Sequence, residues 1–537
     1  MSSETADAVV IGAGHNGLVA ANLLADAGWR VLVLEAARAP GGAVRTEEVT
    51  VPGFRHDLCS AFFPMSAASP VIGALGLDEY GLRWTQAPAV LGHLLPDDRC
   101  ALLSRDINET MASVAEFAPE DGPAWAGMVE QWQELREPLL AALFTPFPPL
   151  RSGYRLLRTA GTARALRLAR MFTLPARRLA EEHFTGAGAQ LLIAGNALHT
   201  DVDITNSGSA VFGWLLAMLG QDVGFPVPVG GAGRLTSALV SRLRARGGEV
   251  HCDRGVREIL IGRGRAVGVR DEAGDPVRAR YAVLADVPAP TLYGELVAPD
   301  ALPGRLHADL RRFDWDGGTV KVDWALSGPI PWTAPGAARA GTLHLDADLD
   351  GLAAYGADLA RRRVPERPFL LLGQMTTTDP TRSPAGTETA WAYTHLPHGL
   401  RLDAAGLAAQ VAAIERVVSD HAPGFTDLIL GRHVQGPQEF QRHNPSLVGG
   451  AINGGTSAIH QQLIFRPLPG LGRADTPIDR LFLASASAHP GGAVHGGPGA
   501  NAARAALSRA GLFGEVYAGL IGAGMRAVYG NSRQRDA

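Results

Sequence analysis

Cysteine is scarce. The 537 residues hold three, Cys59, Cys100 and Cys252, and no two stand at C-x-x-C spacing. A local redox disulfide or a zinc ligand set needs that spacing, so neither is expected and no metal site is read. So few thiols suit a reducing compartment. Basic charge is also short: 49 Lys and Arg against 53 Asp and Glu leave a net charge of −4. A nucleic-acid binder carries a basic excess, so no nucleic-acid partner is expected. No apolar run reaches the roughly 18 residues of a membrane-spanning helix. The first apolar strand begins within ten residues of Met1, which leaves no room for a secretory signal. The expectation is a cytoplasmic protein. Its length exceeds one ordinary core, so two or three domains are expected.

The most informative stretch is Ala8 to Ala36. An apolar strand (Val9, Val10, Ile11) enters Gly12-x-Gly14-x-x-Gly17, an Ala- and Leu-rich helix follows, Gly28 ends it, and a second strand (Val31 to Leu34) ends on Glu35. Gly12 permits the tight turn, Gly14 lets the backbone approach a pyrophosphate, and Gly17 lets helix and strand pack closely. The helix N-terminus offers free N–H groups and a favourable dipole to the phosphates. Glu35 stands about 20 residues on, where an acid accepts ribose hydroxyls. The order of all five parts separates this turn from an ordinary Gly-rich loop. The next block, Arg38-Ala-Pro-Gly41-Gly42-Ala-Val-Arg45-Thr46, lets a loop press its backbone on the phosphates, with Arg38 and Arg45 offering charge. A domain for NAD alone has no need of it, and an extended FAD does. The plainer alternative is a surface turn with two solvated arginines.

Residues 100 to 220 read as mainly helical. Within them, Pro138 to Ala180 carries Arg151, Arg155, Arg158, Arg164, Arg167, Arg170, Arg177 and Arg178 with no acid, among interleaved Leu, Phe, Tyr and Met. A basic amphipathic segment can lie peripherally on an anionic membrane. A solvated helix face paired with acids of the same fold is the favoured reading. Gly230, Gly231 and Gly233 lead into a helix from about 235 to 246, then a β-meander, then a buried strand over 281–286 returning to the first sheet. Strands at 319–324, 369–372 and 389–394 and a helix near 402–420 read as a mainly antiparallel second domain. A last buried strand (Leu481 to Ser485) runs into a Gly-rich turn and a helix from about 500.

With these blocks in order, the chain resembles the phytoene desaturase-like flavin oxidoreductases. The resemblance rests on the turn through Glu35, the Gly41-Gly42 block, Val51-Pro-Gly-Phe-Arg-His-Asp57, Pro228 to Leu235, and His489 through Leu507. Asn444-Pro-Ser-Leu-Val-Gly-Gly450 with Gly454-Gly455 and Phe465-Arg-Pro467 is most similar to the subgroup called pyridine nucleotide-disulfide oxidoreductase domain-containing protein 2. Two departures stand out. Ala451 replaces the usual Asp of that segment, and Ala43 follows the Gly pair where amine-oxidase relatives carry Arg, which counts against an amine oxidase.

The resemblance implies an α/β fold: a Rossmann-like FAD-binding domain of glutathione-reductase type with an interleaved α+β substrate domain. The FAD-binding parts would be 1–99, 221–290 and 471–537. The substrate domain would be a helical part, 100–220, and an antiparallel-sheet part, 291–470. Gly12, Gly14, Gly17, Gly41 and Gly42 would hold the pyrophosphate, Glu35 the ribose, and Val256 the adenine through its backbone. Gly491, Gly492 and Val494 would approach the flavin ring. The activity implied is an FAD-dependent dehydrogenase or desaturase working on CH–CH bonds of a small hydrophobic, isoprenoid or polyene substrate. Hydride would pass to flavin N5. With one dinucleotide fold, the reduced flavin would pass electrons to oxygen, a quinone or another diffusible acceptor. His489 is the candidate base, although a structural role suits it better. A flavin-dependent isomerase and a non-catalytic FAD-binding regulator remain the alternatives. Substrate, acceptor and oligomeric state are not legible.

Overall fold

A computed structural model describes residues 4–345 and 347–530. β1 (Glu4–Ile11), α1 (His15–Asp26) and β2 (Val31–Leu34) form the opening unit. A hairpin follows, β3 (Ala89–Leu94) and β4 (Cys100–Leu103). Four long helices come next: α2 (Asp121–Leu143), α3 (Leu150–Met171), α4 (Ala187–Ala197) and α5 (Ser209–Asp222). α6 (Gly233–Ala245) leads into β5 (Glu249–His251), β6 (Val256–Gly262), β7 (Arg265–Asp271) and β8 (Pro276–Ala285). The second sheet adds β9 (Gly318–Leu326), β10 (Ala340–Leu345), β11 (Leu370–Gln374) and β12 (Glu388–Leu396), then α7 (Ala404–His421) and β13 (Ile429–Gln435). The chain closes with β14 (Leu481–Leu483), α8 (Gly497–Ala510) and α9 (Gly514–Tyr529).

The first sheet runs β6-β7-β8-β1-β2-β5, with β14 also on β8. β1 pairs in parallel with β2 and β8, and β2 with β5. Every residue of β2 is buried, as expected for parallel strands covered on both faces. β8 is long because its start pairs antiparallel with β7 and its end pairs parallel with β14. α1, α6 and α8 cover one face through Leu18, Leu24, Leu235, Leu239, Ala502 and Ala506.

The second sheet runs β13-β9-β12-β11-β10-β3-β4 and is antiparallel except where β10 meets β3. Its strands alternate with period two. Val320, Val322, Trp324, Leu343, Leu345, Leu370, Leu372, Ala390 and Ala392 face a core shared with Ile414, Val417 and Val418 of α7. The opposite face carries the alternate residues and looks toward the helical layer.

The expected α/β architecture with an interleaved α+β domain is present. One boundary needs correction. The FAD-binding part expected to run to residue 99 gives up β3, and β4 does not begin a helical segment. The two form one hairpin whose β3 pairs Ala340 to Leu345. The cause is length: a four-residue apolar run such as Cys100 to Leu103 carries too little periodicity to be told from a helix. β10, Ala-Gly-Thr-Leu-His-Leu, is not expected from the sequence either, because the Ala and Gly at its start are weak strand formers.

α3 is interrupted at Gly161, whose φ is 69°. Five of the eight arginines singled out in this stretch pair with acids of the same chain: Arg155 with Glu137, Arg164 with Glu134, Arg170 and Arg178 with Glu182, Arg177 with Glu181 and Asp350. This is the solvated-face arrangement. Leu150, Tyr154, Leu157 and Leu166 nevertheless lie exposed on α3. Among the described residues no helix is long and apolar enough to cross a membrane.

Candidate functional site

The glycine turn has the geometry its spacing demands. Gly12 adopts φ of 90°, and a Cβ there would lie 2.9 Å from the Asp286 carbonyl oxygen. A Cβ on Gly17 would collide with the Gly12 carbonyl, so helix and turn touch backbone to backbone. Gly14 caps α1 and bridges Gly41, whose N–H donates to Ala13 O at 2.9 Å. A Cβ on Gly42 would sit 3.5 Å from Gly14 Cα. The two Gly-rich segments thus form one cradle without side chains at the start of α1. The Glu35 carboxylate accepts the N–H groups of Ala13 (2.7 Å) and Ala37 (2.8 Å). A carboxylate has about four acceptor sites, so capacity for ribose hydroxyls remains. Glu35 O also accepts Arg254 N–H at 2.8 Å, which sets the start of β6 at Val256 beside it. Arg45 is half-buried and ion-paired with Glu47, while Arg38 is exposed. A cradle of bare backbone, a helix N-terminus and an acid with spare acceptors fit a dinucleotide.

Asp286, at the end of β8, was not singled out by its sequence context. Its Oδ2 accepts Gly17 N–H at 2.8 Å, and a Cβ on Gly14 would lie 2.6 Å from that oxygen. Its carboxyl is pushed up to about 7, chiefly by burial, with the Glu35 charge adding. A second acid therefore guards the pyrophosphate position, and it takes up a proton near neutrality.

The C-terminal turn lies between β14 and α8. Gly491 has φ of 119° and Ala493 of 74°. His495 pins this turn: Nε2–H donates to Gly492 O at 2.9 Å and Nδ1 accepts Gly497 N–H at 3.0 Å. Both ring nitrogens are engaged, and burial holds the ring neutral by lowering its pKa to about 3. His489 is buried, set edge-on to Phe147 at 6.5 Å, and does not line the cavity described next. Arg466 braces the turn from beneath, donating to the backbone carbonyls of Asn453, Thr456 and Ala486 at 2.7–3.0 Å. Ala451 is fully buried. The carboxylate for its segment comes from Asp316, which accepts the N–H groups of Ile452 (2.6 Å), Asn453 (2.8 Å) and Gly455 (3.0 Å).

A cavity of about 320 Å³ opens on this turn. Ala43, Ser60, Gly492, Ala493 and Val494 line one end, so the loop after Gly41-Gly42 and the C-terminal turn meet there. Its walls are Phe62, Met65, Phe212, Leu215, Leu216, Phe225 and Trp391, with no Asp or Glu among the lining residues. Gly491 does not line it, and its φ serves the turn.

The floor is the second face of the second sheet. One cross-strand row joins Lys321 of β9, Tyr393 of β12, Leu371 of β11, His344 of β10 and His93 of β3. Lys321 is buried, donates to Asp57 O at 2.9 Å, pairs with Asp323 and lies 5.8 Å from the Trp391 ring. Asp57 is held by the buried Arg382 at 2.9 Å. Cys59 lies in the cavity wall with its thiol pushed up to about 11 by burial, partly offset by Lys321. It is no thiolate nucleophile at neutral pH. At the other end of the row, His199 Nε2 meets His344 Nε2 at 2.9 Å. Burial keeps both neutral, with the His199 pKa lowered to about 3 and that of His344 well below its usual value.

The profile of the family described as flavin containing amine oxidoreductase matches residues 17–382. The chain is similar to the pyridine nucleotide-disulfide oxidoreductase domain-containing protein 2 of Rattus norvegicus, at 28% identity over 93% of this chain and 92% of the relative. It is 25% identical to the neurosporene-forming phytoene desaturase of Cereibacter sphaeroides, over 92% and 93%. Among solved structures, an oxidoreductase from Methanosarcina mazei superposes with a TM-score of 0.63 at 16% identity, covering 93% of this chain and 99% of that one. Together with the cradle and its facing turn, these findings establish the chain as a member of the flavin-containing amine oxidoreductase family, a phytoene desaturase-like flavoprotein whose cofactor is FAD.

Proposed function

We propose that this flavin oxidoreductase is a dehydrogenase or desaturase that oxidises a CH–CH bond of a small hydrophobic substrate. The observation that carries this reading is the cavity wall: mainly aromatic and aliphatic, with neutral polar residues but without a carboxylate, with the Arg466 guanidinium in it and the Lys321 ammonium behind Trp391. A cationic amine would meet like charge and no counter-ion there. An apolar chain loses only its contact with water. When bound, FAD supplies a two-electron acceptor for hydride. The substrate would give up hydride from one carbon to that acceptor and a proton from the neighbouring carbon to a base or to solvent, and a double bond would form between them. The protein's part is to orient the chain between Trp391 and the helical wall and to keep water out. His495 holds the turn rather than a proton, because both of its nitrogens are committed. His489 lies outside the cavity wall and is withdrawn as the candidate base.

The other Gly-rich strand-to-helix turns have other uses in this reading: the turn between β14 and α8 lines the cavity. Pro228 to Leu235 instead packs Gly231 and Gly233 against Thr46. Reoxidation by oxygen, a quinone or another diffusible acceptor is part of the proposal. The test is anaerobic flavin absorbance against polyenes, acyl chains and amines. Bleaching by polyenes or acyl chains supports the reading. Bleaching by amines alone overturns it. A double-bond shift without acceptor consumption would make the protein an isomerase.

A further inference from the structure

We propose that the end of the cavity away from the Gly492–Val494 turn is a recognition subsite for a hydroxyl group, so that the substrate is a long apolar molecule with an alcohol at its far end. The inference rests on reading this cavity as the substrate site.

Three polar residues line the cavity where α4 meets β10: Asn196 near the end of α4, His199 just after it and bonded to His344 of β10, and Thr342 two residues before His344; none of them is used by the redox chemistry. Asn196 is fully buried; its Nδ2 donates to Leu192 O at 2.7 Å, and its Oδ1 has no partner. Thr342 is 1% exposed, and its Oγ1 has no partner. Both line the cavity, as does His199. Leaving such atoms dry and unpaired is costly, so their presence in an apolar wall points to a ligand that pairs them.

The histidines fix the polarity of the third group. His93 Nε2–H donates to Ala347 O at 2.9 Å, which leaves His93 Nδ1 as a lone pair. His344 Nδ1 is buried and has no hydrogen-bond partner. A buried N–H without an acceptor is rarer than a lone pair without a donor, so the His344 proton belongs on Nε2. That N–H donates to His199 Nε2. A neutral imidazole has one donor and one acceptor. His199 therefore carries its proton on Nδ1, the nitrogen with no partner among the described residues.

The subsite then offers a donor (His199 Nδ1–H), an acceptor (Asn196 Oδ1) and a hydroxyl that serves as either (Thr342 Oγ1). A ligand hydroxyl, which both donates and accepts, satisfies this set. A carboxylate would face Asn196 Oδ1 with no free cation nearby, since the Arg466 nitrogens are spent on backbone carbonyls. An ammonium would face the His199 donor. A pure hydrocarbon would leave all three groups unpaired.

The sheet gives the span. Lys321, whose ammonium donates to Asp57 O near the cofactor end, and His344 are three strands apart in one row. At about 4.8 Å per strand that is roughly 14 Å, so the alcohol is remote from the bond being oxidised.

The test titrates the FAD-loaded protein with farnesol, farnesene and farnesoic acid. Binding is followed by tryptophan quenching, since Trp391 lines the cavity, and flavin bleaching is recorded anaerobically in the same samples. Farnesol is expected to bind about tenfold tighter than farnesene, the worth of one to two net hydrogen bonds. His199→Phe and Thr342→Val are each expected to narrow that gap while the variants still bind farnesene, which shows that the cavity is intact. The proposal is overturned by any of four results: equal affinity for alcohol and hydrocarbon, an alcohol preference that survives the double variant, tighter binding of the acid, or no binding of the three. Bleaching separates this inference from the redox reading. Preference for farnesol without bleaching keeps the subsite and removes the desaturase. Bleaching at equal affinities does the reverse.

Discussion

Replacing Asp286 by Asn should make the protein more stable at alkaline pH and leave it nearly unchanged in acid. Folded Asp286 releases its proton at about 7, against 3.8 for an ordinary aspartate. The folded state therefore binds a proton that the unfolded chain has lost. Stability falls as pH rises from about 4 through 7, and the loss is complete above about 8. At 1.36 kcal/mol per pH unit, the penalty grows from about 1.6 kcal/mol at pH 5 to about 4 kcal/mol at pH 8. Asn cannot ionise, and its Oδ1 can still accept Gly17 N–H. For cooperative unfolding of 537 residues, an entropy of about 2.1 cal/mol/K per residue converts this penalty to a rise of roughly 4 °C in Tm at pH 8 and of about 1 °C at pH 5. Thermal unfolding of the apoprotein and its D286N variant across that range measures the difference. The same change removes a negative charge from the pyrophosphate position, so D286N should also bind FAD more tightly at pH 8 than the unaltered chain. Parallel Tm curves from pH 5 to 8 would refute the reasoning, because they would mean that Asp286 ionises normally in the fold.

Gly14→Val should yield protein without flavin, because its Cβ would lie 2.6 Å from Asp286 Oδ2 and in the path of the phosphates; the flavin-to-protein absorbance ratio reads this, and an unchanged ratio contradicts the cradle. Glu35→Ala removes a charged acceptor worth about 1.5–3 kcal/mol. FAD titration of the apoprotein should show affinity weakened by roughly ten- to a hundredfold, and equal affinities would remove Glu35 from the ribose. For the arginine-rich helix, co-sedimentation with anionic and neutral vesicles across a salt series tests membrane contact. The exposed Leu150, Tyr154, Leu157 and Leu166 favour binding, and anionic lipid adds about 1 kcal/mol per arginine near the surface. Protein that stays in the supernatant with anionic vesicles at low salt leaves the helix as a solvated lid paired with Glu134, Glu137 and Glu182.

Much of the first domain was legible because its signals are local. Gly12, Gly14, Gly17 and Glu35 lie within one βαβ unit at the spacing a dinucleotide turn requires, although the atoms that crowd Gly12 and Gly14 belong to the distant Asp286. The buried strand expected at 281–286 is the end of β8, recognisable as an apolar run between turns. The hairpin Ala89 to Leu103 is not legible in the sequence, which splits it at residue 99 between the FAD-binding part and the helical part: its partner β10 lies more than two hundred residues away, and nothing local announces that pairing. Asp286 escaped notice for the same reason. Beside Gly14 it is a second acid at the phosphate position, but in the sequence it is one aspartate after a strand.

The cavity floor was half legible. Thr319 to Trp324 alternates polar and apolar residues, and period two alone places Lys321 with Asp323, and Trp391 with Tyr393 and His395, on common faces of their strands. What the sequence withholds is the order of the strands. Only β9-β12-β11-β10-β3 brings Lys321, Tyr393, His344 and His93 into one row. Only the docking of α4 on that row sets His199 against His344. The glycine that permits this is Gly195: a Cβ there would lie 2.9 Å from His93 Nδ1 and would strike His344. A side chain at 195 would push α4 off the sheet and separate His199 from its partner. The cofactor end of the cavity is thus written in a motif shared across a family, and the distal end in one glycine and a strand order. Differences in substrate among relatives with the same cradle are therefore expected to lie at the distal end.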